Sequence, residues 1–228
     1  MTRPLERYAS RPYPGTIPEH PYVVVGGRVA PLRWPAARVP LPQDPVALLA
    51  YGSNACPGRL AEKFGSGADG IVVLPAALHG ARRVYAHLPH RGTLPYTLRD
   101  APAHREAAHV VVVPARLGHA MDVSEGREIQ HYDLARLDDV VVQVGGLRWP
   151  APLTYLGKAD RGPASWQGRP MDVSAWRTPD ADALVDELRG DDGLLPGHEV
   201  VPADVPLADA RRAQDRELLG ALAAPTRR

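Results

Sequence analysis

Val46-Ala47-Leu48-Leu49-Ala50-Tyr51-Gly52-Ser53-Asn54-Ala55-Cys56-Pro57 is the stretch that decides how this chain is read. Val46 to Ala50 is wholly apolar and bounded by Pro45 and Gly52. It is too short for a helix and lacks the alternation of a half-wet strand, so it predicts a strand buried on both faces at the centre of a sheet. Gly52-Ser53-Asn54 breaks that strand. Pro57 suits a first helical turn, Leu60 and Phe64 share a side, and Gly65 serves as a left-handed stop, so a short helix follows. A strand that turns into a helix through small residues exposes consecutive backbone N–H groups at the positive end of a helix dipole, which makes an anion or oxyanion site. Gly52 has no Cβ to hold a ligand away, Ser53 and Asn54 are capping residues, and Tyr51 supplies a ring and a hydroxyl for a pocket wall. Alone, such a turn is also ordinary loop chemistry.

Upstream, residues 1–21 carry Pro4, Pro12, Pro14, Pro18 and Pro21 and read as an arm without regular structure, packed on the surface. Tyr22 to Val25, the Gly26-Gly27 pair and Arg28-Val29 read as a hairpin, and a proline-rich connector runs from Pro31 to Pro45. Downstream, strands are expected at 71–74, 81–87, 93–98, 107–113, 132–137, 140–144 and 153–156, with Gly145-Gly146 as a second hairpin turn. The segment 115–125 has room for a turn or two of helix. Pro179, Asp180 and Asp182 at one end and Gly190 at the other predict a helix between them. A last helix spans about 207–222. Many short strands with a few helices give an α+β class around a small curled sheet. The chain divides into an N-terminal arm with a hairpin (1–45), a core (46–157) and a helical C-terminal extension packed on it (158–228).

Composition narrows the function classes. With 44% hydrophobic and 23% charged residues the chain is that of a globular protein. Its 27 basic and 26 acidic side chains leave a formal charge of +1, so no overall field draws it to nucleic acid or to an anionic membrane. The lysines are Lys63 and Lys158, and the remaining basic residues are arginines. A single cysteine, Cys56, excludes an intrachain disulfide framework and a multi-thiolate metal site. No stretch approaches the roughly 20 apolar residues that cross a bilayer, and no secretory leader is visible, so the expected location is cytoplasmic.

A second feature is Asp122-Val123-Ser124-Glu125-Gly126, an acidic turn between an apolar strand and the strand that begins near Tyr132. Together, Tyr51-Gly52-Ser53-Asn54 and Asp122-x-x-Glu125-Gly126, with Tyr132 beyond, resemble the γ-glutamylcyclotransferase-like superfamily over roughly Val46 to Leu156. The resemblance implies an α+β fold with a small mixed, curled sheet or barrel and a few flanking helices. It implies Glu125 as general acid and base, and Tyr51, Gly52, Ser53, Asn54, Ala55 and Tyr132 as substrate-binding residues. Where the family often has Leu or Met after the Asn, this chain has Ala55 and then Cys56, which predicts a wider pocket floor.

In the implied reaction a γ-glutamyl amide places its side-chain carbonyl against the loop N–H groups, and its own α-amine attacks. Glu125 takes a proton from the amine and returns one to the departing amine, giving 5-oxoproline. The implied partner is a small amide, and no metal or organic cofactor is needed. Met121, Val123 and Ile129 are expected to desolvate Glu125, while Asp122 either shares charge with it or caps the turn. Two alternatives stay open: an amide hydrolase or acyl transferase on the same fold, and a non-catalytic module that binds a small metabolite. Cys56 as a nucleophile, His131 at the pocket mouth and a metal on His87 and His90 are weaker candidates.

Overall fold

The computed structural model describes residues 2–87, 89, 93–129, 131–158 and 161–224 of an α+β architecture. The N-terminal half runs β1 (Arg3–Pro4), β2 (Tyr22–Val25), β3 (Arg28–Pro31), β4 (Pro45–Ala50), α1 (Pro57–Phe64), β5 (Val72–Tyr85) and β6 (Tyr96–Pro114). After α2 (Gly118–Glu125) come β7 (Tyr132–Leu137), β8 (Val141–Val144), β9 (Leu147–Pro150), β10 (Leu153–Gly157), β11 (Ala164–Trp166) and β12 (Arg169–Pro170). The chain ends in α3 (Thr178–Asp182), β13 (Arg189–Gly190), β14 (His198–Val200) and α4 (Ala213–Ala223).

The main sheet has the order β1-β3-β2-β5-β6-β4, with the β8–β9 hairpin attached to β5. Smaller sheets β10-β7-β14 and β12-β11-β13 complete the fold, and the sheets stay open. Both paired-glycine turns are hairpins, as expected: Gly26 and Gly27 have φ of 56° and 66°, and Gly145 and Gly146 have 52° and 89°. These left-handed values suit glycine.

The spine is the antiparallel ribbon of β5 and β6, 14 and 19 residues long. Sequence reading splits each of these strands in two, because the middle of β6, from Arg99 to Ala107, is polar and largely exposed. The pair continues through it, with a register shift between His79 and Gly80. Gly80 has φ of +94°, and a Cβ there would lie 2.7 Å from the Asp139 carbonyl oxygen, so the ribbon bends at a residue that must be glycine.

Strand β4 is buried, as expected, but it is not central: it pairs only with β6. Its other side is covered by β10, whose Thr154 Oγ1 donates to the Leu49 carbonyl at 2.8 Å. A neighbouring sheet thus buries the strand without hydrogen-bonding along it. The expected helix from Pro179 to Gly190 is replaced by the five-residue α3, a 3-10 turn at Val185–Glu187 and the short β13. The C-terminal helix is shorter than 207–222 and is bolted to the core through charge. Asp215, 1% exposed, accepts from Arg136 Nη1 at 3.1 Å and from Trp149 Nε1 at 2.8 Å. Among the described residues no helix is long and apolar enough to cross a membrane.

Candidate active site

The two sequence motifs meet in one small cavity of about 40 Å³. Its walls include Tyr51, Gly52, Ser53 and Asn54 from the end of β4, Glu125 from the last turn of α2, Tyr132 from β7 and Thr154 and Tyr155 from β10. About seventy positions of chain separate the turn from Glu125. The β4–β6 ladder ends at Ala50 paired with His109, and the chain leaves β6 at Pro114 to enter α2, which brings the helix end back over the turn.

The turn differs from expectation in one respect. Ser53–Ala55 forms a separate 3-10 turn, and neither Ser53 nor Asn54 caps α1, whose preceding residue is Cys56. Asn54 Oδ1 instead accepts from Lys63 Nζ at 2.6 Å. The same ammonium is hydrogen-bonded to Glu125 Oε1, with both side chains largely buried. Lys63 therefore ties the turn to the glutamate and fixes the carboxylate's rotamer. Sequence reading passed over it, although it lies nine residues after Asn54, two helical turns into α1.

Glu125 is not desolvated by its apolar neighbours in sequence. Val123 and Ile129 are 54% and 68% exposed, and Met121 is buried in the core. Its surroundings are tyrosines. Burial pushes the hydroxyls of Tyr51, Tyr132 and Tyr155 well above their ordinary range, with the Glu125 charge adding to each. They stay neutral hydrogen-bonding groups. Tyr51 donates to the Tyr155 carbonyl at 2.5 Å, which fixes the wall. Asp122 neither shares charge with Glu125 nor caps the turn through its side chain. It is buried, accepts from Tyr155 Oη at 2.8 Å and pairs with Arg127 at 3.2 Å. Its effect is to orient Tyr155.

The largest difference lies in the arm. Residues 9–16 form a tight loop, closed by Thr16 N–H to Ala9 O at 2.7 Å and Gly15 N–H to Pro12 O at 2.8 Å. It packs on the start of α1: a Cβ on Gly58 would meet the Tyr8 carbonyl at 2.1 Å, and one on Gly15 would meet Cys56 Sγ at 2.6 Å. From its tip Tyr13 reaches into the cavity. Its hydroxyl accepts from Tyr96 N–H at 3.3 Å and lies against Gly52, where a Cβ would be 2.3 Å from it, and its ring meets Tyr96 edge-on at 4.7 Å. Ala55, from which a wider floor is expected, does not line the cavity, and Tyr13 joins its walls. Nothing local to Tyr13 in the sequence points to this.

Cys56 is buried beside Ala9 O, and burial raises its thiol above the ordinary value, which makes it a poor nucleophile. His131 packs against Gly126 and does not line the cavity. His90 lies outside the described residues. Ala55 is buried behind the turn and receives the Tyr22 hydroxyl on its carbonyl at 2.7 Å.

No family model matches the chain, and no curated protein matches it. Solved structures do. A gamma-glutamyl cyclotransferase aligns at a TM-score of 0.42 and 12% identity, over 65% of this chain and 90% of its own. YkqA from Bacillus subtilis aligns at 0.39 and 18% over 68% of this chain and 56% of its own. A protein of Arabidopsis thaliana solved in solution aligns at 0.40 and 22% over 65% and 81%. At such distances what this cavity does is decided by its own residues.

Proposed function

We propose that the chain is a γ-glutamylcyclotransferase-like enzyme that closes a γ-glutamyl amide on itself, releasing 5-oxoproline and a free amine. One observation carries the reading: the Gly52–Asn54 turn and the Glu125 carboxylate line the same buried cavity. Backbone N–H groups of the turn receive the γ-carbonyl oxygen, and charge developing there is stabilised by donors already in place. The substrate's α-ammonium gives a proton to Glu125, and the freed amine attacks the γ-carbon. Glu125 protonates the leaving nitrogen as its carbon–nitrogen bond breaks, and the second proton shed by the attacking nitrogen passes through Glu125 to the released amine, which departs as ammonium. Nucleophile and electrophile share one molecule, so the site's task is to hold the reactive rotamer. The tyrosines shape the pocket, and Lys63 aims the carboxylate.

The test is 5-oxoproline release from a panel of γ-glutamyl amides. Glu125→Gln keeps the shape and removes the base, and a loss of about 10²–10⁴-fold in turnover is expected. Equal turnover in both proteins sinks the reading. The alternative is hydrolysis of a related amide at the same turn and carboxylate. Product mass separates the two, since a linear acid means that water attacked.

A further inference from the structure

From the contacts of the N-terminal loop we infer that Tyr13 is an internal occupant of the oxygen-binding turn, which any ligand of the cavity must displace. The inference rests on the reading of the turn as a cradle for a ligand oxygen and adds how access to it is controlled.

Three observations carry it. The first is position. A Cβ placed on Gly52 would lie 2.3 Å from Tyr13 Oη, so the phenol oxygen occupies the space that the missing side chain leaves open. The second is chemistry. The Tyr13 oxygen takes the Tyr96 N–H at 3.3 Å, the type of donor that a carbonyl or oxyanion would use. The third is volume. With the ring in place about 40 Å³ remains, enough for water and far below the several hundred cubic ångströms of an ordinary small-molecule site. The other described walls come from β4 and its turn, β6, α2, β7 and β10, all held in the core. Tyr13 alone projects from a loop, with Arg11, Pro12 and Thr16 exposed beside it.

The loop is held on the start of α1. Gly58 against Tyr8, Gly15 against Cys56, and the bond from Ser10 Oγ to Glu62 hold the two ends on α1. Access therefore requires rotation of one side chain, not release of the arm. A ligand pays for this as a loss of apparent affinity equal to the fraction of molecules in which the ring is already out.

Tyr13→Ala and Tyr13→Phe test the inference in the full chain. The first readout needs no ligand: amide hydrogen exchange at Ser53 and Tyr96 is expected to accelerate at least about tenfold in Tyr13→Ala, with the β4–β6 ladder at Val110 and Val112 unchanged. The second is titration with 5-oxoproline, which is expected to bind Tyr13→Ala at least about tenfold more tightly than wild type, with Tyr13→Phe between them. The third is turnover of γ-glutamyl-alanine at low substrate, expected to rise in the same order. Unchanged exchange at Ser53 and Tyr96 overturns the inference whatever the activity. So does a fall in turnover or affinity in both variants, which makes the phenol part of the working site. Faster exchange with no 5-oxoproline binding and no turnover in any variant upholds Tyr13 as the cover of the turn and removes the cyclotransferase reading instead. Tyr13→Phe keeps the ring packed on Tyr96, so it reports on the hydroxyl even where the alanine variant folds poorly.

Discussion

Substituting Asp215 by Asn is the sharpest test of how the C-terminal segment is held. Arg136 and Asp215 are each 1% exposed at the side chain, and the pair is doubly hydrogen-bonded. Asparagine keeps the size but has one acceptor oxygen, so of the Trp149 Nε1 bond to Oδ1 and the Arg212 N–H bond to Oδ2, 2.7 Å long in the wild type, one survives. The carboxylate charge does not survive, and a guanidinium is left in the core without a counter-charge, its other acceptors among the described residues being the Ala151 and Ala210 carbonyls. Removing one partner of a buried ion pair costs about 3–5 kcal/mol, because the other charge remains without compensation. In a chain of this length that lowers Tm by about 6–20 °C. Urea unfolding followed by far-UV circular dichroism measures it directly. Adding Arg136→Met removes the stranded charge, so the double variant recovers a large part of the loss and the coupling in the cycle exceeds about 2 kcal/mol. If Asp215→Asn costs less than about 1 kcal/mol, or if the double variant is as unstable as the sum of the singles, the network is not the clamp argued here.

Gly145 and Gly146 sit in one turn and separate strain from packing: a Cβ on Gly145 would lie 1.9 Å from the Trp34 ring, whereas nothing stands near Gly146. Gly146→Ala should cost about 1–2 kcal/mol from its left-handed backbone, and Gly145→Ala about 2–4 kcal/mol, measured by the same unfolding assay. Burial, and then the Arg83 charge, lower the His109 pKa from its ordinary 6.5 to about 4. The folded state therefore favours the neutral ring while the unfolded chain takes up a proton between those values, so this histidine's contribution is fully present above pH 6.5 and is lost as pH falls toward 4. The loss is at most about 3 kcal/mol, and His109→Gln should flatten that part of the pH–stability curve relative to wild type.

The fold was legible where local chemistry dictates it. Two glycine pairs marked hairpins, Pro57 and Gly65 bracketed a helix, and an unbroken apolar run marked a buried strand. What escaped was decided by partners distant in sequence. The polar stretch of β6 becomes strand because β5 pairs with it, and β4 loses its central place because β10 covers it without a ladder. The site divides in the same way. Tyr51, Gly52, Ser53, Asn54, Glu125 and Tyr132 line the cavity together. Lys63 and Tyr13 complete it, yet each stands in a segment whose own pattern speaks only of a helix face or a proline-rich arm. Asp122 was visible as an acidic turn residue, but its bond to Tyr155 depends on a strand more than thirty positions away.

The 25 prolines look like loop punctuation in the sequence, yet several close the sheet margins against other molecules. The main sheet's outer strands include β1, two residues long and ending in Pro4, and β9, ending in Pro150, while β12 at the rim of a smaller sheet ends in Pro170. A ring nitrogen offers no hydrogen to an incoming strand, and a two-residue edge gives it little length to grip. These margins work against edge-to-edge pairing, and replacing Pro150 with valine would restore one backbone N–H to the outer strand β9.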